Sequence, residues 1–262
     1  MTPTAVASEL SRITLEIVPP VARILLRNPP LNVIDVAMME ELAHSLHKME
    51  TRKDVSAILI GGGGKLFSAG VDVAAHTPNK VEEMLEKFHS VIRTLMKTRK
   101  VTVAAVHGHC LGGGAELAMV CDIAYTTDTA LWGFPEIKLG CYPPVACAAL
   151  AAIVGQKRAS ELILTGRTML GSAAAEIGLA TRAVAEDRLA VAVDECMSHL
   201  RKLSAASLAV TKKACYAWDA MHFDKGLARA EKIYLEDLME VADAQEGIRA
   251  FLDKREPQWT NK

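Results

Sequence analysis

Short apolar runs alternate with helical periodicity in the first half of the chain, and this alternation is the strongest constraint on its fold. Residues 21–26, 55–60 and 101–106 are apolar runs of strand length. Residues 81–97 place apolar side chains at the i, i+3, i+4 spacing of an amphipathic helix, and residues 35–49 do so more weakly. Strands that alternate with helices are typical of a layered α/β fold, which we therefore predict.

After about residue 200 the pattern becomes wholly helical. Residues 204–218, 224–239 and 242–254 are predicted to be helices, with no strand between them. We therefore divide the chain into a core of residues 1–200 and a helical C-terminal region of residues 201–262. Surfaces rich in alanine and leucine on such helices pack either on a partner subunit or back onto the same subunit, and the sequence leaves both possibilities open.

Composition and charge exclude several classes of protein. The chain has 262 residues, of which half are hydrophobic, so it can bury a large core. Its formal net charge is −1, and the basic residues are interleaved with acidic ones, which argues against a nucleic-acid-binding face. The sequence carries neither a signal-peptide pattern nor an apolar stretch of membrane-spanning length, so we expect a cytoplasmic protein.

The six cysteines do not indicate a metal site or a disulfide framework. None forms a CxxC pair, and none has zinc-finger spacing with a histidine. Most lie among Ala, Val and Met, which predicts buried free thiols in a reducing compartment. The eight histidines also lack the spacing of metal ligands, so we expect no metal.

Two glycine runs invite a nucleotide-binding interpretation, and both fail it. A phosphate-binding loop at residues 61–66 would need glycine at Leu59 and a hydroxyl residue at Leu66. The dinucleotide fingerprint at residues 112–117 would need its third glycine at Leu117. The simpler interpretation is that both glycine runs form structural turns.

The second run nevertheless has the order strand, glycines, helix, in "VTVAAVHGHCLGGGAELAMVCD". Glycine lets a ligand approach the backbone closely, and the first N–H groups of a helix have no partner within it. A similar loop of small residues occurs earlier, in "GKLFSAGVDV". Two such loops could each direct one N–H at a single carbonyl oxygen, which is the arrangement of an oxyanion hole.

Two glutamates in apolar surroundings accompany these loops. Glu116 lies just inside the predicted helix start, and Glu136 follows a proline in "LWGFPEIKLG". Each alone is most simply a solvated or capping acid. Together they could divide acid and base roles, provided that their environments separate their pKa values.

Other nucleophiles and bases near the loops are weaker candidates. His107 and His109 are alternate residues of an extended segment, so their side chains point to opposite sides. Ser68 lacks the G-x-S-x-G context of a serine nucleophile, and Cys110 is predicted to have a packing role.

These segments together resemble the crotonase, or enoyl-CoA hydratase/isomerase, superfamily. The matching pieces are "RNPPLNVID", "LFSAGVDV", "HGHCLGGGAELAMVCDIAY", "WGFPEIKLG" and "EGIRAFLDKREPQW", which extend over almost the whole chain. The most specific part is the glycine loop followed by two glutamates 20 positions apart, Glu116 and Glu136. The resemblance implies a spiral of ββα repeats with a helical C-terminal oligomerisation region, assembled as a trimer or a dimer of trimers.

The resemblance also implies roles for individual residues. The backbone N–H groups of Val71 and Gly113 would form the oxyanion hole for a thioester carbonyl, and Glu116 and Glu136 would handle the water and the proton. Coenzyme A, as part of the acyl-CoA substrate, would lie along residues 71–74. The residues implied to bind it are Val71, Asp72, Val73 and Ala74, together with Phe251 and Lys254 on the last helix, which would reach across a subunit boundary. No further cofactor and no metal are implied.

One segment departs from the pattern of common hydratases. Where these usually carry a glycine-rich "xxPGxGG" stretch, this chain reads "CYPPVACAAL", so the wall of the acyl pocket should differ. This segment, with "NVIDVAMM" and "DVAAHTP", most resembles cyclohexa-1,5-diene-1-carbonyl-CoA hydratases, which act in anaerobic aromatic degradation. The alternatives are a general short-chain enoyl-CoA hydratase, an enoyl-CoA isomerase on the same scaffold, and a non-catalytic relative that binds acyl-CoA or RNA.

Overall fold

The computed structural model describes residues 6–216 and 220–260. The strands in these residues are β1 (Val6–Glu9), β2 (Ile13–Val18), β3 (Val21–Leu26), β4 (Ala57–Gly62), β5 (Val101–Val106), β6 (His109–Leu111), β7 (Ile123–Thr127), β8 (Leu131–Gly133), β9 (Thr168–Leu170) and β10 (Arg182–Val184). The α-helices are α1 (Val36–Thr51), α2 (Val81–Lys97), α3 (Gly113–Met119), α4 (Pro144–Val154), α5 (Gln156–Thr165), α6 (Gly171–Glu176), α7 (Leu189–Leu200), α8 (Ala205–Cys215), α9 (Ala220–Glu236) and α10 (Ala242–Leu252). Short 3₁₀ helices include Val73–His76 and Pro135–Leu139.

A seven-stranded sheet organises the core, in the order β1-β2-β3-β4-β5-β7-β10. The first three strands pair antiparallel, and all pairs from β3 to β10 are parallel. A second sheet of three strands has the order β6-β8-β9. The loop after β4 and the turn after β6 carry the two small-residue segments, and a bridge between Ser68 and Cys110 brings these segments together. This is the layered α/β fold that the sequence pattern predicted.

The two helices predicted in the first half, α1 and α2, form where the sequence supplies a capping residue or an apolar face. The Asp35 carboxylate accepts a hydrogen bond from the N–H of Met38 at 2.8 Å, which caps α1. In α2 the predicted apolar stripe is buried except for Met96, which is half-buried, and the helix packs against α1. The predicted bounds of β3, α2 and β5 are confirmed, and those of α1 and β4 are shifted by one or two residues.

The last helix ends earlier than predicted, at Leu252 rather than Lys254. Lys254 has a φ of 55°, in the left-handed region, and it lies just beyond the helix cap. Its N–H donates to the carbonyl of Phe251 at 3.2 Å, and the N–H of Arg255 donates to the carbonyl of Ala250 at 3.0 Å. These two bonds form a Schellman motif, which closes the helix even without a glycine.

The other C-terminal predictions need smaller corrections. Helix α8 covers Ala205–Cys215, and Trp218, the predicted helix end, lies outside the described residues. Helix α9 begins before residue 224 and ends at Glu236, before the predicted Met239. Within the described part of the region after residue 200, no strand interrupts the helices.

The C-terminal helices pack back onto the same subunit. Helix α9 contacts α4 and α2, and α10 contacts both 3₁₀ helices named above. Phe223, Leu227, Tyr234 and Ile248 therefore share the main hydrophobic core with the sheet. The division of the chain into two parts at residue 200 stays a prediction. So does any additional packing of these helices on a partner subunit.

The cysteines are free thiols, but only half of them are buried. Cys110, Cys121 and Cys141 lie in the core, Cys196 is half-buried, and Cys147 and Cys215 are exposed. The sequence prediction of mostly buried thiols is therefore wrong for this single subunit, because apolar neighbours along a helix do not decide which face a residue occupies. In the part of the chain that the structure describes, no helix is long and apolar enough to cross a membrane.

Candidate active site

A buried asparagine holds the loop that leads to Val71. Asn32 has a φ of 47°, and its Nδ2 donates to the carbonyls of Gly63 and Leu66 at 2.8 and 2.9 Å. The Ser68 hydroxyl donates to the Asn32 carbonyl at 2.8 Å and accepts from the N–H of Gly70 at 3.1 Å. These bonds fix the backbone just before Val71.

The N–H of Val71 is directed away from the neighbouring segment. Ile34 donates to the Gly70 carbonyl at 2.9 Å, and Asp72 donates to the Ile34 carbonyl at 3.2 Å, which forms an isolated parallel bridge. Successive amides of an extended chain point to opposite sides. The N–H of Val71 therefore faces the side opposite Ile34.

The glycine run that precedes α3 lies directly beside Val71. Gly112 has a φ of 51°, and Gly113 is the first residue of the helix, so its N–H has no partner within α3. A Cβ built on Gly113 would lie 3.4 Å from the Val71 N atom and 2.5 Å from Val71 Cγ2. The structure thus brings together the two amides that the sequence singled out, with no room for a side chain at residue 113.

Glu116 is buried on α3 and is held by the start of α4. Only 3% of its surface is exposed, and its Oε1 accepts a hydrogen bond from the N–H of Ala146 at 2.9 Å. Burial raises the pKa of Glu116 to about 7, although the amides of Ala146 and Val145 act in the opposite direction by stabilising the carboxylate. Pro144 begins α4 and has no N–H, so Val145 and Ala146 offer the first free amides of that helix.

Glu136 approaches the glycine run from the other side. A Cβ built on Gly112 would lie 2.7 Å from Glu136 Oε1, so glycine is required there for space as well as for its positive φ. Glu136 Oε2 is buried and has no hydrogen-bond partner among the described residues. Burial, followed by repulsion from Glu116, raises the pKa of Glu136 well above its ordinary value. The N–H of Ala146 stabilises the Glu116 carboxylate, whereas Glu136 Oε2 has no such donor, so we expect Glu116 to lose its proton first.

Both glutamates and both amides line one cavity of about 80 Å³. Val73 lines it as well, whereas Asp72 and Ala74 do not: the Asp72 carboxylate instead caps the 3₁₀ helix by accepting from the N–H of Ala74 at 3.0 Å. Phe251 and Lys254 are exposed and lie outside the cavity wall, Phe251 on α10 and Lys254 just beyond it.

The segment that departs from common hydratases lies in the cavity wall. Cys141, Tyr142, Pro143 and Pro144 all line the cavity. Other lining residues that sequence reasoning missed are His76, His89, Tyr234 and Ile248. His76 ends the 3₁₀ helix just after the first loop, whereas His89, Tyr234 and Ile248 lie on α2, α9 and α10, and no local motif marks them.

The described residues hold no cluster of three or more His, Cys, Asp or Glu side chains that could bind a metal ion.

Comparison with known proteins agrees with this geometry. A model of the family described as "Enoyl-CoA hydratase/isomerase" matches residues 16–262. A protein of Thauera aromatica named cyclohexa-1,5-dienecarbonyl-CoA hydratase is 34% identical over 240 residues, which cover 92% of this chain and 93% of that protein. A probable enoyl-CoA hydratase of Bacillus subtilis is 33% identical over 245 residues, covering 91% of this chain and 95% of that protein.

Solved structures give the same answer for the fold. An enoyl-CoA hydratase from Mycobacterium avium superposes with a TM-score of 0.87 at 26% identity, covering 96% of this chain and 100% of that one. An enoyl-CoA hydratase/isomerase from Xanthobacter autotrophicus superposes with a TM-score of 0.85 at 30% identity, covering 94% and 98%. The chain therefore belongs to the enoyl-CoA hydratase/isomerase family. It is an enzyme of the enoyl-CoA hydratase type, a hydro-lyase.

Proposed function

We propose that the protein adds water to a carbon–carbon double bond conjugated to the thioester carbonyl of an acyl-CoA, through Glu116 and Glu136. One observation carries this proposal: two buried carboxyls, of which Glu116 is held by the N–H of Ala146 and Glu136 has an unpaired oxygen among the described residues, line the same cavity as Val71 and Gly113. Isomerisation can proceed with one acid–base group, so the presence of both glutamates favours hydration.

The chemistry follows from the residues. The N–H groups of Val71 and Gly113 donate to the thioester oxygen and stabilise the negative charge that develops there; one such donor contributes about 3–4 kcal/mol. Glu116, as the carboxylate, orients the water and takes its proton while the water oxygen bonds to the conjugated carbon. Glu136, as the acid, delivers a proton to carbon, which completes the addition. The step requires only the chain, the acyl-CoA and one water molecule.

For the substrate we favour a cyclic dienoyl-CoA of the cyclohexa-1,5-diene-1-carbonyl type, and hence a role in aromatic degradation. The similarity to the Thauera aromatica protein supports it, as does a wall built from Tyr142, Pro143 and Pro144. Linear short-chain enoyl-CoA is the second candidate, because several relatives of similar identity are named simply as enoyl-CoA hydratases.

The remaining contacts of coenzyme A are also part of the proposal. Residues 71–74 would follow the pantetheine arm, with Val71 and Val73 in the cavity wall and Asp72 and Ala74 beside it. Phe251 and Lys254, exposed at the end of α10, would reach the nucleotide of a neighbouring subunit in a trimer or a dimer of trimers. The cytoplasmic location stays a prediction.

Product mass and substrate preference test this function together. We expect cyclohexa-1,5-diene-1-carbonyl-CoA and crotonyl-CoA to give products heavier by one water, with kcat/KM for the ring higher by about tenfold or more. A product of unchanged mass would assign the protein to the isomerases. A higher kcat/KM for crotonyl-CoA would select the linear candidate.

The pH profile of kcat/KM should report the two carboxyls. Glu116 must be ionised, so we expect activity to rise with pH through about 7, where Glu116 loses its proton. Glu136 must be protonated, so activity should fall again at higher pH, where its raised pKa is passed. Steady-state rates measured at constant ionic strength would show this bell shape. A profile that stays flat across neutral pH would contradict the assignment of base and acid.

A further inference from the structure

His89 places an unpaired nitrogen at the cavity that the hydration step does not use. It lies on α2, lines the cavity and has no exposed side-chain surface. Its Nδ1 is 2.7 Å from Glu231 Oε1 on α9. Its Nε2 is buried and has no hydrogen-bond partner within the described ranges.

The contacts of Glu231 decide which ring nitrogen of His89 carries hydrogen. Arg93 donates to the same carboxylate oxygen at 2.6 Å. Burial alone would raise the pKa of Glu231, but the hydrogen bonds from His89 and Arg93 lower it overall, so this group is a carboxylate. A carboxylate only accepts, so Nδ1 of His89 carries the hydrogen. Burial also lowers the pKa of His89, which keeps the ring neutral and leaves Nε2 as an acceptor.

Tyr234 supplies a second unpaired group in the same cavity. It lies on α9 and is 1% exposed; its hydroxyl has no nitrogen or oxygen partner among the residues described, although the Cys141 thiol lies beside it. Its ring packs edge-on against Tyr142, with centroids 5.0 Å apart. The Tyr142 hydroxyl already donates to the Ala230 carbonyl at 2.6 Å, so it holds the pair in place. Burial raises the pKa of Tyr234, so its hydroxyl keeps the proton and remains a donor.

Two buried unpaired polar groups are costly, because each has lost its hydrogen bonds to water without gaining others. A substrate that pairs with both recovers this loss, and the cavity then rejects an analogue that cannot. Nε2 of His89 requires a donor, whereas the Tyr234 hydroxyl can donate. A hydroxyl group matches the requirement of each, since it donates and accepts; a keto oxygen only accepts and can pair with the Tyr234 hydroxyl alone.

We propose that His89 and Tyr234 form a subsite for a hydroxyl group carried by the acyl part of the substrate, away from the thioester. The inference rests on the proposed function, because it assumes that an acyl-CoA occupies this cavity. The hydroxyl formed by hydration lies at Glu116 and Glu136, so the one bound here is already present on the substrate. The substrate class is thus a hydroxylated, conjugated enoyl- or dienoyl-CoA.

Matched esters test the subsite directly. The linear series is hex-2-enoyl-CoA, its 4-, 5- and 6-hydroxy derivatives and the corresponding oxo derivatives. The ring pair is cyclohexa-1,5-diene-1-carbonyl-CoA and its 4-hydroxy derivative. We expect kcat/KM for at least one hydroxylated ester to exceed that of its parent by about tenfold or more, with no such gain for the keto ester. If every hydroxylated ester stays within about twofold of its parent, the proposal is wrong.

Two variants test whether His89 and Tyr234 cause the preference for a hydroxylated ester. In His89→Phe and Tyr234→Phe the ratio of kcat/KM between hydroxylated and parent ester should fall to about one, whatever happens to the absolute rates. His44→Phe, at an exposed position on α1, is the matched control and should keep the wild-type ratio. A wild-type ratio in both cavity variants would exclude the subsite.

Binding of saturated esters separates this proposal from the proposed function. Hexanoyl-CoA and its hydroxylated derivatives cannot be hydrated, so calorimetry reports binding alone. We expect the best hydroxylated ester to bind about tenfold more tightly than hexanoyl-CoA, and His89→Phe to remove the difference. Equal Kd values would overturn the subsite even if hydration is observed. Absence of hydration with every unsaturated ester would overturn the proposed function, while unequal Kd values would still support the subsite.

Discussion

Replacing Glu116 or Glu136 by glutamine should lower kcat by about 10²–10⁴-fold, since general acid or base catalysis typically contributes that much. Glutamine keeps the shape of the side chain and its hydrogen-bonding oxygen but can neither take nor release the proton. Because the amide is neutral, burial costs it less than it costs a carboxylate, and the fold should be retained. Steady-state rates, together with Kd for a saturated acyl-CoA, would separate catalysis from binding.

The matched control for these variants is Glu176→Gln at the exposed end of α6, which should leave kcat within about twofold, as is usual for a surface substitution. Near-normal turnover in both cavity variants would exclude a mechanism that uses two glutamates. Loss of turnover in only one would indicate a single acid–base group, as expected of an isomerase.

Gly113→Ala should lower kcat/KM by about 10²–10³-fold, the range for loss of one oxyanion-hole donor. The added Cβ would lie 2.5 Å from Val71 Cγ2 and 3.2 Å from Phe88 Cζ, so the two segments must separate and their N–H groups can no longer converge. The double variant Val71→Ala/Gly113→Ala removes the closer of these two contacts and should recover part of the loss, which a double-mutant cycle on kcat/KM would measure.

Gly226→Ala in α9 is the matched control for this substitution. A Cβ at that position meets only ordinary contacts, the nearest at 3.6 Å from Ala148, so activity should be retained. Helix propensity should also raise the free energy of unfolding by up to about 1 kcal/mol. If Gly113→Ala keeps wild-type kcat/KM, the amides of residues 71 and 113 do not form the oxyanion hole.

The parts of the structure that sequence could predict are those governed by local pattern. The apolar runs at β3 and β5 and the stripe of α2 give their elements directly, because burial of one face has a fixed period. The glycines and the two glutamates could be placed in one site because their spacing matches a family. The Schellman end of α10 was missed, because its left-handed residue is Lys254 rather than glycine.

The part of the cavity wall formed by His89 and Tyr234 depends on tertiary packing, so local sequence patterns could not predict it. His89 and Glu231 are 142 positions apart, and they meet only because α9 folds back over α2. His89 also occupies a position that the periodicity of α2 would assign equally well to an apolar side chain. Tyr234 carries no motif, and only its burial without a partner marks it as unusual.

The start of α4 both binds the Glu116 carboxylate and continues the cavity wall. Its amides hold the Glu116 carboxylate, and the residues from Cys141 to Pro144 that lead into it line the cavity in which we propose that the acyl group binds. A substitution that reshapes this wall therefore also moves the donors that set the proton affinity of the base. We therefore expect substrate range and working pH to be linked, so that a variant selected for a larger acyl group should also show a displaced pH optimum.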